Sequence, residues 1–482
     1  MRKAAAMMMV KPLARRIVSM TLADIYLSAT IFCMVTFTFL GGSSNAAYML
    51  TYSLMLVSVV VLLGLVWGVR DTDFSQASVV VISLFLAVIA TGLLQLVPLP
   101  QWLWVHLPGR EAVMSSFELV RLEKGAMPLS LSPEQTLPGA LRFFPALAVF
   151  ILVTMTSWHR LNSMLPALVV GMGAISVVLG LLQLISGSQS SLYFYDVTNN
   201  QYPTGFFANV NHQASFLLMC LPFAGVVGGR IAQRTARGDI VTVPAILTGF
   251  ALLLLVVGIA LTGSGAGFML LLPTAALTLI IFRTNARSSK ARKRWRYLLL
   301  ALIVGAGGVA VYLNGAPPPL VQWADEGGGA ESNLARPAIF ARTFDATIDH
   351  FPVGSGLGSF RDVYPAYEEA EEVTQTYINH VHNEYLEIAL ELGVIGILVI
   401  VAAILLYGLV TWRIWTRPPT SGDRLRRAGS VALGILLVHS IVDYPGRTMA
   451  IACLAAFCAA IMTRPDQKQR GRSPTSANQV SL

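Results

Sequence analysis

The sequence predicts an all-α, polytopic membrane protein with about twelve transmembrane helices, each made from an apolar run of roughly 17 to 25 residues. Three observations carry that prediction. The chain is 55% hydrophobic and only 12% charged, against about 25% charged in soluble domains, and its mean hydropathy is +0.65. Apolar runs long enough to cross about 30 Å of hydrocarbon as helix recur from near Ile17 to Met462. Lys and Arg gather in alternate connections, as the positive-inside rule requires.

Spans are expected to start near residues 18, 46, 77, 138, 161, 211, 243, 266, 297, 385, 429 and 447. Residues 1–17 then form a cytoplasmic N-terminus, 18–313 hold helices one to nine, 314–384 a periplasmic loop, 385–463 the last three helices and 464–482 a cytoplasmic tail. The first run reads as a retained helix rather than a cleaved signal, because it is long, lacks an A-x-A site and is followed at once by a second span. With both termini cytoplasmic, the inside segments hold 26 of the 34 Lys and Arg. The net charge of +9 is therefore topogenic, carried by runs such as Arg292-Lys293-Arg294 beside an anionic leaflet, and membrane lipids rather than nucleic acid are the implied neighbours. Cys33, Cys220, Cys453 and Cys458 fall inside spans without zinc or redox spacing and read as small buried hydrophobes.

Two external segments interrupt the pattern. Residues 100–138 carry Trp102 and Trp104, expected as interface anchors, and a mixed stretch, 111–124, that can lie on the membrane surface. Residues 314–380 are too long for a simple connector. They open with Pro317-Pro318-Pro319 and Gly327-Gly328-Gly329, become helical from Asn333 through His350, and continue through Gly354, Gly356 and Gly358 to the acidic Glu368, Glu369, Glu371 and Glu372. No strand precedes the Gly-x-Gly-x-Gly, so it reads as a compact turn rather than a nucleotide loop.

The tenth span begins with the most polar mouth in the chain: His382, Asn383, Glu384, Glu387 and Glu391 precede the apolar run from Ile397 to Leu409. On an unbroken helix Gly393 and Gly396 would lie about +20° and −40° from His382, about 16 to 21 Å deeper. They are expected to let a second helix or a lipid chain approach, while the three glutamates form an opposite stripe that needs Arg, Lys or water. Taken alone, His382 reads as a structural interfacial histidine. Arg142 and Arg447, at outer helix ends, read as topological or headgroup contacts, and His439 with Asp443 as a pair at i and i+4.

Five motifs stand in a fixed order: Phe206-Phe207-Ala208-Asn209-Val210-Asn211-His212, then Arg336-Pro-Ala-Ile-Phe-Ala-Arg342, then Asp349-His350-Phe351-Pro352-Val353-Gly354-Ser355-Gly356-Leu357-Gly358, then Tyr364-Pro365-Ala366-Tyr367, and finally His382-Asn383 followed by Gly393 and Gly396. This ordered set resembles the O-antigen ligase and polymerase family of bacterial cell-envelope glycosyltransferases. The likeness covers residues 130 to 445. It implies a GT-C-like architecture in a bacterial inner membrane, and transfer of a glycan from undecaprenyl diphosphate to a hydroxyl of a lipid, glycan or protein acceptor on the periplasmic face. No metal, cofactor or nucleotide sugar is implied.

Within that resemblance His382 becomes the general base, since an imidazole with an ordinary pKa of about 6.5 can take a proton near neutrality. Arg336 becomes the partner of the departing diphosphate, because a guanidinium meets phosphate oxygens with paired, charge-assisted hydrogen bonds. Arg342 is a second phosphate contact or a partner of the acidic cluster. Asn383 and His212 are expected at the substrate. Asn209 and Asn211 either cap the sixth span or touch substrate. One position departs from the family pattern: where many members have Ser-Arg after the seventh span, this chain has Ser264-Gly265. The diphosphate then falls to Arg336 with help from Arg342, Arg142 or Arg447. Ligase and polymerase readings share all these motifs. A transporter would instead place ionisable residues and broken helices near the midplane, with an internal repeat.

Overall fold

The computed structural model describes residues 21–45, 49–70, 72–121, 125–283, 330–369, 377–417 and 422–465. The expected ninth span near residue 297, the proline and glycine runs opening the long loop, Glu371 and Glu372, the cytoplasmic N-terminus and nearly all of the tail lie outside them. Nine helices among the described residues are long and apolar enough to cross a membrane. The protein is an all-α multi-pass membrane protein.

The helices follow the expected order: α1 (Leu22–Leu40), α2 (Met49–Arg70) and α3 (Gln76–Leu94) come first. Thr21 and Asp24 close a capping box at the start of α1, satisfying backbone donors that have no partner within the helix. A small extramembrane unit follows, with β1 (Pro98–Leu99), α4 (Gln101–Trp104), α5 (Glu111–Val120) and β2 (Met127–Pro128), the two strands pairing antiparallel. Then come α6 (Pro133–Leu141), α7 (Phe143–Met155), α8 (Trp158–Ser186), α9 (Val210–Thr235), α10 (Thr242–Leu261) and α11 (Gly265–Arg283). Beyond the undescribed stretch are α12 (Ala330–Asp349), α13 (Phe360–Val363), α14 (Glu384–Thr416), α15 (Asp423–His439) and α16 (Met449–Thr463). The last two are shorter than a full span, at 17 and 15 residues.

At the centre stands α9, with 89% of its apolar window buried, packed against α8, α10, α11 and α15. The second packing layer joins α16 to α7, α15 and α1. Cys33, Cys220, Cys453 and Cys458 are all buried free thiols in this core. Apolar faces turned outward, such as Val60, Leu63, Leu398 and Leu405, are what a helix bundle presents to lipid.

Trp104 is not an interface anchor. It is 2% exposed, donates from Nε1 to the Pro128 carbonyl at 2.9 Å and sits under the Arg110 guanidinium, 5.6 Å from its ring centroid. It is the core of the small unit, whereas Trp102 is 70% exposed. Gln95, just past α3, ties that unit to the long loop. Its side chain accepts from Leu357 N at 2.9 Å and donates to the Glu391 carbonyl at 2.9 Å, while its own carbonyl accepts from Ser130 N.

The described part of the long loop is helical over α12, as expected, and Gly354, Gly356 and Gly358 make a tight turn with φ of 79°, 120° and 83°. Its floor is α14 itself, and here the helix arithmetic from the sequence fails. Gly393 breaks α14 with φ 57° and ψ −136°, a conformation open essentially to glycine alone. The backbone groups freed by the break bond to the loop. Val394 N donates to Pro352 O at 2.9 Å, Ser355 N to Leu390 O at 2.9 Å and Gly356 N to Glu391 O at 3.0 Å. A Cβ on Gly393 would stand 2.1 Å from the Pro352 carbonyl oxygen, and one on Gly396 would meet Ile388 O at 2.6 Å. These glycines admit the loop backbone and the preceding turn of their own helix, not another helix.

Candidate functional site

The segments 377–384 and 439–448 and the start of α9 meet at the loop-bearing end of the bundle. Asn383 caps α14 by accepting from Leu386 N at 3.1 Å, and Glu384 and Glu387 occupy its first turn, where the helix dipole favours carboxylates. His382, just before the cap, has φ 59°. That left-handed conformation is uncommon for a residue with a side chain.

His382 Nδ1–H donates to Asp443 Oδ1 at 3.1 Å, with the histidine side chain 24% exposed and the aspartate 1%. Asp443 Oδ1 also accepts from Tyr444 N at 2.9 Å, while its Oδ2 is buried without a partner among the described residues. Burial works against ionising Asp443, but the hydrogen bond and charge of His382 outweigh it and hold the carboxyl well below the usual carboxylate range. The bond fixes the His382 tautomer, so Nε2 carries the lone pair.

Tyr444 is the hub of the cluster. The rings of His380, His382 and His212 lie against it at centroid distances of 4.1, 4.9 and 4.9 Å. Burial and the nearby Asp443 push its phenol well above the ordinary value, against a hydrogen bond with the Asn209 side chain. His212 is 1% exposed, and neither ring nitrogen has a hydrogen-bond partner among the described residues. His439 bonds Ser215 Oγ through Nδ1 at 2.6 Å, so the expected His439 and Asp443 side-chain pairing gives way to His382 with Asp443.

Behind this cluster stands a buried ionic wall. Arg447 Nη1 lies 3.1 Å from Glu387 Oε1 and Nη2 lies 3.0 Å from Glu391 Oε2. Glu387 accepts in addition from His380 Nδ1 at 2.7 Å and Val381 N at 3.0 Å. The glutamate stripe thus finds its cation in Arg447, whose side chain is 8% exposed. Burial opposes its charge, yet the two carboxylates hold its guanidinium above the ordinary range. Burial pushes His380 below its ordinary value despite Glu387.

Other expected residues take distinct places. Arg336, on α12, is close enough to act electrostatically on Tyr444 and His439, and its Nε is buried without a hydrogen-bond partner among the described residues. Arg342 pairs with Glu369, the acidic-cluster alternative. Asn209 caps α9, its side chain accepting from Asn211 N at 2.8 Å, and also reaches Tyr444. Asn211 lies in the first turn of the same helix. Gly265 opens α11, whose Gly267 would place a Cβ 2.8 Å from that of Ala214, so the position without the family arginine is beside the start of α9. Among the described residues no three His, Cys, Asp or Glu side chains converge as a metal-ligand set.

Asp443, Tyr444 and Arg447 were not singled out by sequence reasoning in these roles. Their one signal is the run Asp443-Tyr444-Pro445-Gly446-Arg447, polar and turn-forming between two apolar helices.

Fold and site together define a polytopic membrane protein with a histidine and aspartate cluster at one mouth of its helix bundle. Residues 250–401, about a third of the chain, match the model of the O-antigen ligase family. The matched segment holds Arg336, Arg342, His382, Gly393 and Gly396, whereas His212, Asp443 and Arg447 lie outside it. A comparison with curated proteins gives no match.

Proposed function

We propose that this protein transfers a glycan from undecaprenyl diphosphate to an acceptor hydroxyl on the periplasmic face of the bacterial inner membrane. The observation that most supports this reading is the buried Asp443 holding Nδ1 of His382, which leaves Nε2 to take the acceptor proton as the oxygen attacks the anomeric carbon. Asp443 orients the ring and stabilises the imidazolium that forms. The glycosidic bond to the diphosphate breaks, and Arg336 meets the growing negative charge.

The charge pattern favours Arg336 for that work over the other candidates. Arg447 is engaged by two glutamates and Arg342 by Glu369, while Arg336 stands beside the cluster with Nε unsatisfied. His212 lies against Tyr444, and Asn209 and Asn383 can meet sugar hydroxyls by exchanging the hydrogen bonds with which they cap α9 and α14.

The test is glycan and lipid analysis of a strain whose only copy carries His382→Ala. The protein is expected at normal abundance in the membrane with transfer abolished, and Arg336→Ala is expected to behave alike. Long lipid-linked polymer accumulates if the enzyme is a ligase, single repeat units if it is a polymerase. Normal product in a His382→Ala strain with abundant protein refutes the assignment.

A further inference from the structure

Arg447 and Glu384 also line a cavity of 350 Å³. Its length is apolar, lined among others by Val81, Phe85, Ala146 and Leu406, and by the alanine-rich face of α16 that includes Ala452 and Ala459. The lining of α16 runs from Met449 to Thr463, about 21 Å of helix rise, or some two-thirds of the roughly 30 Å hydrocarbon thickness. That shape suits a lipid chain rather than a compact solute.

Two charged side chains, Arg142 and Glu384, line the cavity beside Arg447. Arg142 Nε and Nη1 are buried with no hydrogen-bond partner among the described residues, and Nη2 reaches only the Ser44 carbonyl at 3.4 Å. A buried guanidinium left this way calls for an anion. Glu384 accepts from Ser440 Oγ through Oε2 and has Arg142 within electrostatic reach. Glu387 and Glu391 are taken up by Arg447, but a purely anionic head drawn to Arg142 still meets the carboxylate of Glu384, and the repulsion grows with the charge of the head. A head carrying one phosphate and one primary ammonium satisfies both ends: oxygens on Arg142, N–H donors on Glu384. A quaternary ammonium has no N–H to give.

We propose that this cavity binds one zwitterionic phospholipid of the phosphoethanolamine type, its phosphate on Arg142 and its ammonium on Glu384. The site is separate from the glycan-transfer cluster and does not depend on that chemistry. Because Glu384 follows Asn383 and His382 directly, the lipid head abuts the turn that carries the proposed base.

The experiment is native mass spectrometry of the full-length protein in detergent, offered phosphatidylethanolamine, phosphatidylcholine, phosphatidylglycerol and undecaprenyl phosphate at equal concentration. Phosphatidylethanolamine is expected to be retained about tenfold more than each of the others, a difference of about 1.4 kcal/mol. Arg142→Gln should lose that retention, and Glu384→Gln should shift preference to phosphatidylglycerol. Ala452→Phe, which fills the apolar part and leaves the charged end intact, should also lose it, and serves if Arg142→Gln does not fold. Equal retention of the ethanolamine and choline lipids, preference for undecaprenyl phosphate, or unchanged binding in Ala452→Phe overturns the proposal.

Discussion

Replacing Arg447 by Met removes one guanidinium from between two carboxylates whose side chains are 1% and 0% exposed. Three contacts of 3.0 to 3.3 Å disappear together. Glu387 keeps His380 Nδ1 and Val381 N, but Glu391 keeps only a backbone N–H from Gly358. Breaking a buried ion pair from one side costs about 3–5 kcal/mol, because the stranded charge cannot return to water. Two stranded carboxylates, one still well hydrogen-bonded, place Arg447→Met near 4 kcal/mol on that scale, about a thousandfold in the folding equilibrium. Denaturant titration of the detergent-solubilised protein, followed by tryptophan fluorescence, reads this as a lower midpoint at unchanged slope. Adding Glu387→Gln and Glu391→Gln to Arg447→Met takes away the stranded charges and should return most of the loss. A single variant within about 1 kcal/mol of the parent, or a triple variant no better than the single, would refute the account of the wall as a set of mutually dependent charges.

Asp443→Asn should lower glycan transfer by a factor on the order of 10² to 10⁴, the usual worth of a positioned base, and adding His382→Ala to it should lower transfer no further than His382→Ala alone, as for residues acting as a unit. A double variant much worse than His382→Ala would break the link between the two. Burial favours the neutral form of His380, so its stabilising contribution is complete above its ordinary pKa of about 6.5 and is lost as pH falls through the lower folded-state value. Thermal stability should therefore decline less on acidification below about pH 6.5 in His380→Gln than in the parent, and an unchanged or steeper decline speaks against it. Gly393→Ala should cost at least about 1–3 kcal/mol in backbone strain alone, and hydrogen exchange at Val394, Ser355 and Gly356 should accelerate, whereas unchanged protection there would mean the loop does not depend on the break.

What was legible in the sequence was whatever a local period or composition encodes. Apolar runs placed all the described membrane helices, the spacing of Gly354, Gly356 and Gly358 gave a turn, and the carboxylates at the head of α14 announced a missing cation. The partners of those residues were not legible, because tertiary packing chooses them. Arg447 follows Glu391 by more than fifty residues and reaches it through the packing of α15 and α16 against the first turns of α14. Asp443 stands four residues after His439, a spacing that favours a helical pair, but α15 ends at His439, so its side chain turns to His382 instead. The two glycines misled for a related reason: angular arithmetic assumes a continuous helix, and Gly393 interrupts it. Trp104 sits where sequence rules expect an interfacial anchor, yet it is drawn inward by the Pro128 carbonyl, which no spacing reveals.

The break at Gly393 also bears on how such enzymes can be re-engineered. The membrane helix lends its unpaired amide and carbonyl groups to the loop above it, through Val394 with Pro352, Ser355 with Leu390 and Gly356 with Glu391. Loop and helix are in effect one backbone lattice, so the loop is no detachable cassette. A chimaera made to change acceptor preference by swapping the loop alone would leave ladder bonds on both sides of the junction without their counterparts. The natural unit of exchange runs through residue 396, and a lineage that alters this loop must carry the head of the tenth expected span along with it.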